Sequence, residues 1–302
     1  MNATAAVARL VDLLDVERLD LDLFRAPPLY AEPPAAADMR RFRLFGGQVA
    51  GQTLRAALLT VDDPDRLAHS LHCYFLRPGD TMAPVYFVVD HSREGTSFTT
   101  RHVAARQHGQ TILEMVVSFQ RREDGGDHGI VSADLPTPGE DEPRDRWVPF
   151  GNREEDPFEI VPAVVDEPDR VGFDRSTLRY WIRARSAVPD DPGMHRSLLA
   201  YMSDMRAGSA AMEVLGMASR LRPRIGDEEQ PAIDPKRLPQ IASLDHAMWF
   251  HRPVRPDGWL LFDVRPVSTS AARGLVIGTI HDAAGAHGVT FTQELLLRQR
   301  DR

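Results

Sequence analysis

The pattern of apolar and polar positions shows its clearest helical period between residues 197 and 215. Five apolar side chains recur there at the three-to-four-residue spacing of an amphipathic helix: Leu198, Tyr201, Met202, Met205 and Met212. Asp204 lies inside this pattern, close to the apolar stripe. A carboxylate beside a buried face is unfavourable unless it is paired or takes part in chemistry. The alternative is that Asp204 points to the edge of the stripe and stays solvated.

The first half of the chain carries one long helical segment followed by strand-like segments. Small and apolar residues run through 46–61 after a glycine pair and stop at 62–64, which predicts a closely packed helix. A shorter amphipathic helix is predicted around Val7 and Leu10. Four strands are predicted after the long helix, at 67–76, 85–90, 97–106 and 111–121. A turn at 108–109 makes the last two strands a hairpin.

The second half repeats this order of elements. One strand is predicted before the Asp204 helix and four after it, at 177–186, 241–251, 259–267, 274–280 and 289–297. Residues 70–78 and 244–253 both end in an aromatic residue followed by Phe, one variable residue, Arg and Pro. A repeat with a period of this length indicates domain duplication. Residues 218–240 have no counterpart in the first half and are predicted to form an inserted loop.

The segment between the halves predicts the domain boundaries. Residues 123–160 are dense in Asp, Glu, Pro and Gly and show no period, which is typical of a linker. We therefore predict a first domain at 1–122, a linker at 123–165 and a second domain at 166–302. In each domain an antiparallel sheet buries a helix, so the fold class is α+β with the same plan used twice.

The composition of the chain limits which cellular compartment and which binding partners we expect. The net charge of −8 argues against a general nucleic-acid binder. Cys73 is the single cysteine, which excludes an intrachain disulfide and favours a reducing cytoplasm. The longest apolar runs are too short to span a bilayer, and the N-terminus lacks the basic region of a secretory signal. We expect a cytoplasmic protein with no membrane span.

Several ungapped motifs, spread over both halves and in the same order as in the family, resemble the acyl-CoA thioesterase II family. They lie at 45–52, 69–80, 95–103, 244–253 and 268–274. The resemblance implies two tandem hotdog folds, each an antiparallel sheet wrapped around a central helix. It also implies a role in fatty acid metabolism: hydrolysis of fatty acyl-CoA to free acid and CoA with no metal or organic cofactor. We further expect acyl-CoA as the substrate partner and a homo-oligomer.

The family's catalytic residues fall on three positions of this chain. They are an Asp on the second hotdog helix, a Thr or Ser opening the next strand and a Gln on the last strand, which correspond to Asp204, Ser243 and Gln293. Desolvation makes a carboxylate a stronger base, and a hydroxyl and an amide can orient a water on it. The helix at 46–61 holds no Asp or Glu, and aligning the two Arg-Pro motifs sets Ala68 opposite Ser243. We therefore expect one active centre per chain.

Other residues have two interpretations each. Gly46 and Gly47 could present backbone N–H groups to an anion or oxyanion at a helix start, or could allow close helix–sheet packing. Four arginines could bind the phosphates of CoA or form ordinary ion pairs: Arg77, Arg101, Arg252 and Arg273. His246 and His251 could bind a metal, although packing or hydrogen bonding is the expected role. Asp245 is expected to form a structural hydrogen bond at a strand start.

Three other mechanisms or functions compete with the thioesterase hypothesis. An enoyl-CoA hydratase typically needs an Asp and a His on one helical segment, and His195 lies only before the first turn of the predicted helix. A catalytically silent acyl-CoA binding protein would result if the loop at 218–240 blocked the pocket. A serine hydrolase is disfavoured because the chain lacks a Gly-x-Ser-x-Gly motif.

Overall fold

The computed structural model describes residues 2–31, 43–130, 136–139, 156–163, 177–214 and 240–298. The elements of the first half are α1 (Ala3–Leu14), β1 (Glu17–Asp20), β2 (Leu23–Ala26), α2 (Gly46–Leu58), β3 (Arg66–Phe75), β4 (Val85–Glu94), β5 (Phe98–Gln107) and β6 (Gln110–Arg121). Those of the second half are β7 (Phe158–Pro162), β8 (Leu178–Ala184), α3 (Pro192–Ser203), α4 (Ala207–Val214), β9 (Gln240–Ser243), β10 (Asp245–Phe250), β11 (Leu260–Ser270), β12 (Arg273–Asp282) and β13 (His287–Arg298).

The strands form one continuous antiparallel sheet. Their order is β1-β2-β4-β5-β6-β3-β10-β13-β12-β11-β8-β7, with β9 pairing onto β13. Each half therefore supplies its own set of strands, and the two sets are joined through β3 and β10. Among the described residues, no helix is both long and apolar enough to cross a membrane.

The register at the β3–β10 junction reveals the duplication directly. His72 pairs with Ala247, and the two residues are equivalent because each lies six positions before the proline of its Arg-Pro motif. On either side, Cys73 pairs with His246 and Leu71 with Met248. This exchange of equivalent partners is what a local two-fold relation between the halves produces. The internal repeat predicted from the sequence is confirmed.

The two central helices, α2 and α3, run antiparallel and lie very close together. A Cβ on Gly51 of α2 would lie 2.9 Å from the carbonyl oxygen of Ser197 on α3. Small residues at the contact allow helix axes to approach, and α2 buries Ala50, Ala56 and Ala57 completely or nearly so. The N-terminus of α2 is thereby brought to the C-terminus of α3.

The structure corrects the single helix predicted at 197–215. Helix α3 ends at Ser203 and α4 begins at Ala207, so Asp204 caps a helix end. The backbone tightens there, because the N–H of Met205 donates to the carbonyl of Met202. The apolar stripe continues across the break, and periodicity alone could not reveal it.

Other sequence-based boundaries also change. Strand β7 lies inside the linker predicted at 123–165 and pairs with β8, so the second domain begins earlier than 166. The strand predicted at 241–251 is two strands, because the chain shifts from β9 to β10 at Leu244. The short strands β1 and β2 were not predicted. The predicted inserted loop lies outside the described residues except for Gln240, the first residue of β9.

Candidate active site

The Asp204 carboxylate is held by three hydrogen-bond donors from three different elements. Its Oδ2 accepts a bond of 2.7 Å from the backbone N–H of Gly47, at the start of α2. Its Oδ1 accepts bonds from the Ser243 hydroxyl at 3.1 Å and from Gln293 Nε2 at 2.5 Å. The carboxylate is thus bound within the protein and not simply solvated at the edge of a stripe, and no cation in the described part of the chain pairs with it.

The other two predicted residues also contact each other. Gln293 Nε2 donates a second bond of 2.7 Å to Ser243 Oγ. Gln293 is fully buried on β13, whereas Ser243, at the end of β9 opposite Leu295, is only partly buried. The structure therefore brings Asp204, Ser243 and Gln293 into one hydrogen-bonded cluster.

Glycines at the start of α2 make this approach possible. A Cβ on Gly47 would lie 2.6 Å from the carbonyl oxygen of Tyr201, and one on Gly46 would lie 2.8 Å from Asp204 Oδ2. Both contacts are shorter than real Cβ contacts, so no larger residue fits without movement. The close-packing interpretation of the glycines is confirmed. Sequence reasoning missed that Gly47 donates to Asp204, because 157 positions separate the two residues.

The environment of Asp204 changes its acidity. Burial raises the pKa of Asp204 to about 6, although hydrogen bonds from Gln293, Ser243 and Gly47 oppose this rise. A carboxyl group with this pKa is ionised at neutral pH and still more basic than an aspartate in water. The residue remains partly exposed, so water can reach it.

The first half lacks the cluster at every equivalent position. Strand register sets Val116 opposite His72 and Thr292 opposite Ala247, so Val117 is the counterpart of Gln293. Ala68 pairs with Phe119 in the way that Ser243 pairs with Leu295, which confirms the alignment made from the sequence. The residue that caps α2, as Asp204 caps α3, is Leu59.

The four arginines contact the protein's own oxygen atoms. Arg101 is buried, donates to the backbone oxygen of Thr60 at 3.1 Å and pairs with Glu94 at 2.5 Å, which are structural contacts, and its contact with a CoA phosphate stays a prediction. Arg77 donates to Thr111, Arg252 donates to His287 and Asp127, and Arg273 donates to Glu294. Arg77 and Arg273 lie at the surface, and their role toward CoA stays a prediction.

The predicted histidine pair does not converge. His246 is buried with its Nε2 2.8 Å from Ser203 Oγ, whereas His251 is exposed and lies 2.9 Å from Thr290 Oγ1. The two rings thus have different hydrogen-bond partners, in keeping with the packing or hydrogen-bonding role expected of them. Across the described ranges, no group of three His, Cys, Asp or Glu side chains is arranged to hold a metal ion.

Two further residues are placed by their hydrogen bonds. Asp245 Oδ1 accepts a bond of 2.8 Å from the backbone N–H of Glu294, which confirms its predicted structural role. His195 lies in the first turn of α3, at the end opposite Asp204, and its Nε2 is 2.9 Å from the carbonyl of Pro189. The Asp and His pair of a hydratase is therefore not assembled on this helix.

Comparisons with known proteins agree with this arrangement. Models of the acyl-CoA thioesterase N-terminal and C-terminal domains match residues 33–120 and 132–297. Human acyl-coenzyme A thioesterase 8 is 33% identical over 305 residues, covering 95% of this chain and 88% of that protein.

Solved structures show the same likeness. An acyl-CoA thioesterase II from Mycobacterium marinum superposes with a TM-score of 0.74 at 32% identity, covering 96% of this chain and 97% of that chain. A hot dog fold protein from Alicyclobacillus acidocaldarius superposes with a TM-score of 0.68 at 20% identity, covering 96% and 98%, and supports the fold alone. The chain belongs to the acyl-CoA thioesterase II family, and it is a thioester hydrolase with an α+β double hotdog fold.

Proposed function

We propose that Asp204, Ser243 and Gln293 hold and activate the water that hydrolyses fatty acyl-CoA thioesters. The observation that carries this proposal is the hydrogen-bonded Asp204 carboxylate, whose pKa burial raises to about 6 and which no cation of the described residues pairs with. A base with a pKa near the working pH is the most effective in general acid–base catalysis. Of the two halves, only the second carries this cluster.

In the proposed reaction, Asp204 takes a proton from the water while the water oxygen attacks the thioester carbonyl carbon. The resulting tetrahedral intermediate collapses with cleavage of the carbon–sulfur bond, and the proton held by Asp204 goes to the departing CoA thiolate. The products are a free fatty acid and CoA. The carboxylate begins and ends the cycle ionised, so the chemistry requires no other proton source.

The hydrogen bonds around Asp204 support distinct roles for its two oxygens. Oδ1 receives both side-chain donors, Ser243 and Gln293, which fix the plane of the carboxylate. Of the described residues, only Gly47 donates to Oδ2, through its N–H, and an ionised carboxylate oxygen has room for a second donor. We assign the reacting water to this free position on Oδ2.

The N-terminus of α2 is the proposed site of oxyanion stabilisation. Gly46 is the first residue of α2, and its N–H lies in the first helical turn, whose donors have no acceptor one α-helical turn back. In this turn the Gly47 N–H donates to Asp204 and that of Gln48 to the Phe45 carbonyl, while the positive end of the helix dipole lies at the same place. Gly46 lies beside Asp204, since a Cβ built on it would be 2.8 Å from Oδ2, so a carbonyl oxygen bound by its N–H would be near the water on Asp204.

The test of this function is thiol release from acyl-CoA esters of increasing chain length, with and without EDTA. We expect hydrolysis of medium- to long-chain esters that EDTA does not reduce. Loss of activity on EDTA treatment that zinc restores would contradict the cofactor-free reaction. Hydration of an enoyl-CoA without thiol release would favour the hydratase instead.

A further inference from the structure

His246 lies directly behind the proposed catalytic cluster. The β10–β13 register pairs Ala247 with Thr292, and His246 and Gln293 are the next residue on each of the two strands. Residues at neighbouring positions on paired strands are close enough for their side chains to interact. Both residues are buried, with 1% and 0% of their surface exposed.

This buried polar pair is not required by the fold. The equivalent positions of the first half are Leu71 and Val117, which pair with each other across β3 and β6 and are fully buried. Burying polar groups is unfavourable unless each finds a partner. The second half thus keeps a histidine and a glutamine where the same fold accepts two apolar residues.

Two polar atoms of this pair lack a hydrogen-bond partner among the described residues: Gln293 Oε1 and His246 Nδ1. Burial lowers the pKa of His246 to about 4, while the Gln293 amide opposes this decrease and so lies close enough to favour a proton on the ring. The imidazole is therefore neutral at physiological pH, with one N–H to place. The two unpartnered atoms become complementary only when Nδ1 carries that proton.

Ser203 is able to complete this arrangement. Its hydroxyl oxygen lies 2.8 Å from His246 Nε2 and 3.0 Å from the carbonyl oxygen of Ala200. When the hydroxyl donates to Nε2, the ring proton resides on Nδ1 and is available to the Gln293 amide oxygen. When it donates to Ala200 instead, Nδ1 carries no proton, and both Nδ1 and Gln293 Oε1 are buried acceptors without a donor among the described residues.

We propose that His246 is a positioning residue: as its Nδ1–H tautomer it donates to Gln293 Oε1 and keeps the amide NH2 group directed toward Asp204 and Ser243. The inference rests on the proposed function for the role of Asp204, but the hydrogen-bond pattern stands independently of it. The other tautomer would favour a rotated amide, with Oε1 against Asp204 Oδ1. That contact would oppose ionisation of the carboxylate.

The tautomer is measured directly by long-range ¹H–¹⁵N NMR of the full chain labelled on histidine nitrogens. The signal that disappears in His246→Asn identifies the residue. We expect a neutral ring protonated on Nδ1 at pH 7. A ring protonated on Nε2 would overturn the proposal, whether or not the protein proves to be a thioesterase. Retention of turnover by Asp204→Asn would instead overturn the proposed function and leave the tautomer result unaffected.

The enzyme kinetics of three variants test the expected effect of His246 on catalysis. His246→Leu introduces the residue type found at the equivalent position of the first half and removes the donor to Gln293. We expect kcat to fall about 10-fold and the acid limb of kcat/KM to move up by about one pH unit. Both changes are the effect of one lost hydrogen bond to Asp204. His246→Asn, whose amide can reach the Nδ1 position, should recover part of the loss. His251→Asn, on the opposite face of the sheet, is the matched control and should behave like the wild type.

The coupling to Gln293 separates positioning from a general structural effect. Since His246 acts through the amide, His246→Leu combined with Gln293→Ala should be no slower than Gln293→Ala alone. Additive losses, or a lower kcat with an unmoved acid limb, would overturn the proposal. If His246→Leu does not fold, the NMR measurement on the wild type still decides it.

Discussion

Helix α3 has an aspartate at each end, and the two differ in what surrounds them. Asp191 caps the N-terminus, accepting a bond of 2.8 Å from the Gly193 N–H, and pairs with Arg55 at 2.7 Å. Burial raises its pKa, but the Arg55 charge and the backbone N–H groups outweigh it, so the pKa of Asp191 is lowered. No cation among the residues that the structure describes lies against Asp204 at the other end, and burial raises its pKa to about 6.

The comparison indicates that the role of each aspartate depends on the groups that its carboxylate contacts. A negative charge is favourable at a helix N-terminus and unfavourable at a C-terminus. Asp191 therefore stabilises the fold, together with Arg55, which also bonds Asp15 at 2.9 Å. Asp204 lies at a helix C-terminus, which is unfavourable for a carboxylate, as is often found for groups that take part in catalysis.

The largest expected effect is the loss of the base. Asp204→Asn keeps the shape of the side chain but cannot take a proton, so kcat should fall by roughly 10²–10⁴-fold. Asp245→Asn is the matched control, since that carboxylate bonds only a backbone N–H, and its kcat should be close to that of the wild type. The reverse result would mean that the wrong aspartate has been named.

The neighbours of Asp204 should have smaller effects. Ser243→Ala and Gln293→Ala each remove one hydrogen bond to a charged group, and each should lower kcat by about 10- to 100-fold. Because Ser243 and Gln293 act through the Asp204 carboxylate, the losses should not add. Asp204→Asn with Ser243→Ala should be little slower than Asp204→Asn alone, and a multiplicative loss would argue for independent roles.

The raised pKa of Asp204 should also make the free energy of unfolding depend on pH. A group with a higher pKa in the folded state binds its proton more tightly there, so its contribution is present at low pH and lost as the pH rises from about 4 to about 6. Urea unfolding should show the wild type losing about 2 kcal/mol across this window relative to Asp204→Asn. Parallel profiles would contradict the raised pKa.

The aspartate at the other end of α3 should behave oppositely. Asp191→Ala removes a helix cap and a partly exposed ion pair, and should lower the free energy of unfolding by about 1 kcal/mol. Its kcat should be unchanged, because this end of the helix carries no part of the proposed site. A loss of kcat without a loss of stability would remove the contrast between the two ends.

Residues whose signal is local could be predicted from the sequence. Asp204 was conspicuous because a carboxylate interrupts an apolar stripe, and Ala68 because the Arg-Pro motifs fix the alignment of the halves. Long strands such as β4 and β5 alternate between buried and exposed residues over much of their length, which gives a period of two. The family resemblance supplied Ser243 and Gln293.

Features that depend on tertiary contacts could not be predicted. The break after Ser203 leaves the apolar stripe intact, and the Gly47 bond to Asp204 joins two distant helices. Strand β1 is exposed throughout and carries no alternation, while β7 lies in an acidic, proline-rich segment. From the sequence, His246 is a packed or metal-binding residue, and its bond with Ser203 depends on a tertiary contact.

The pH dependence of kcat/KM tests most directly the claim that Asp204 is the base. In the wild type, activity should fall along a one-proton limb near pH 6, where Asp204 becomes protonated. In Ser243→Ala the limb should move to higher pH, because the lost hydrogen bond lowers the pKa of Asp204 in the intact protein. A limb near pH 4, or one that Ser243→Ala leaves unmoved, would contradict the account.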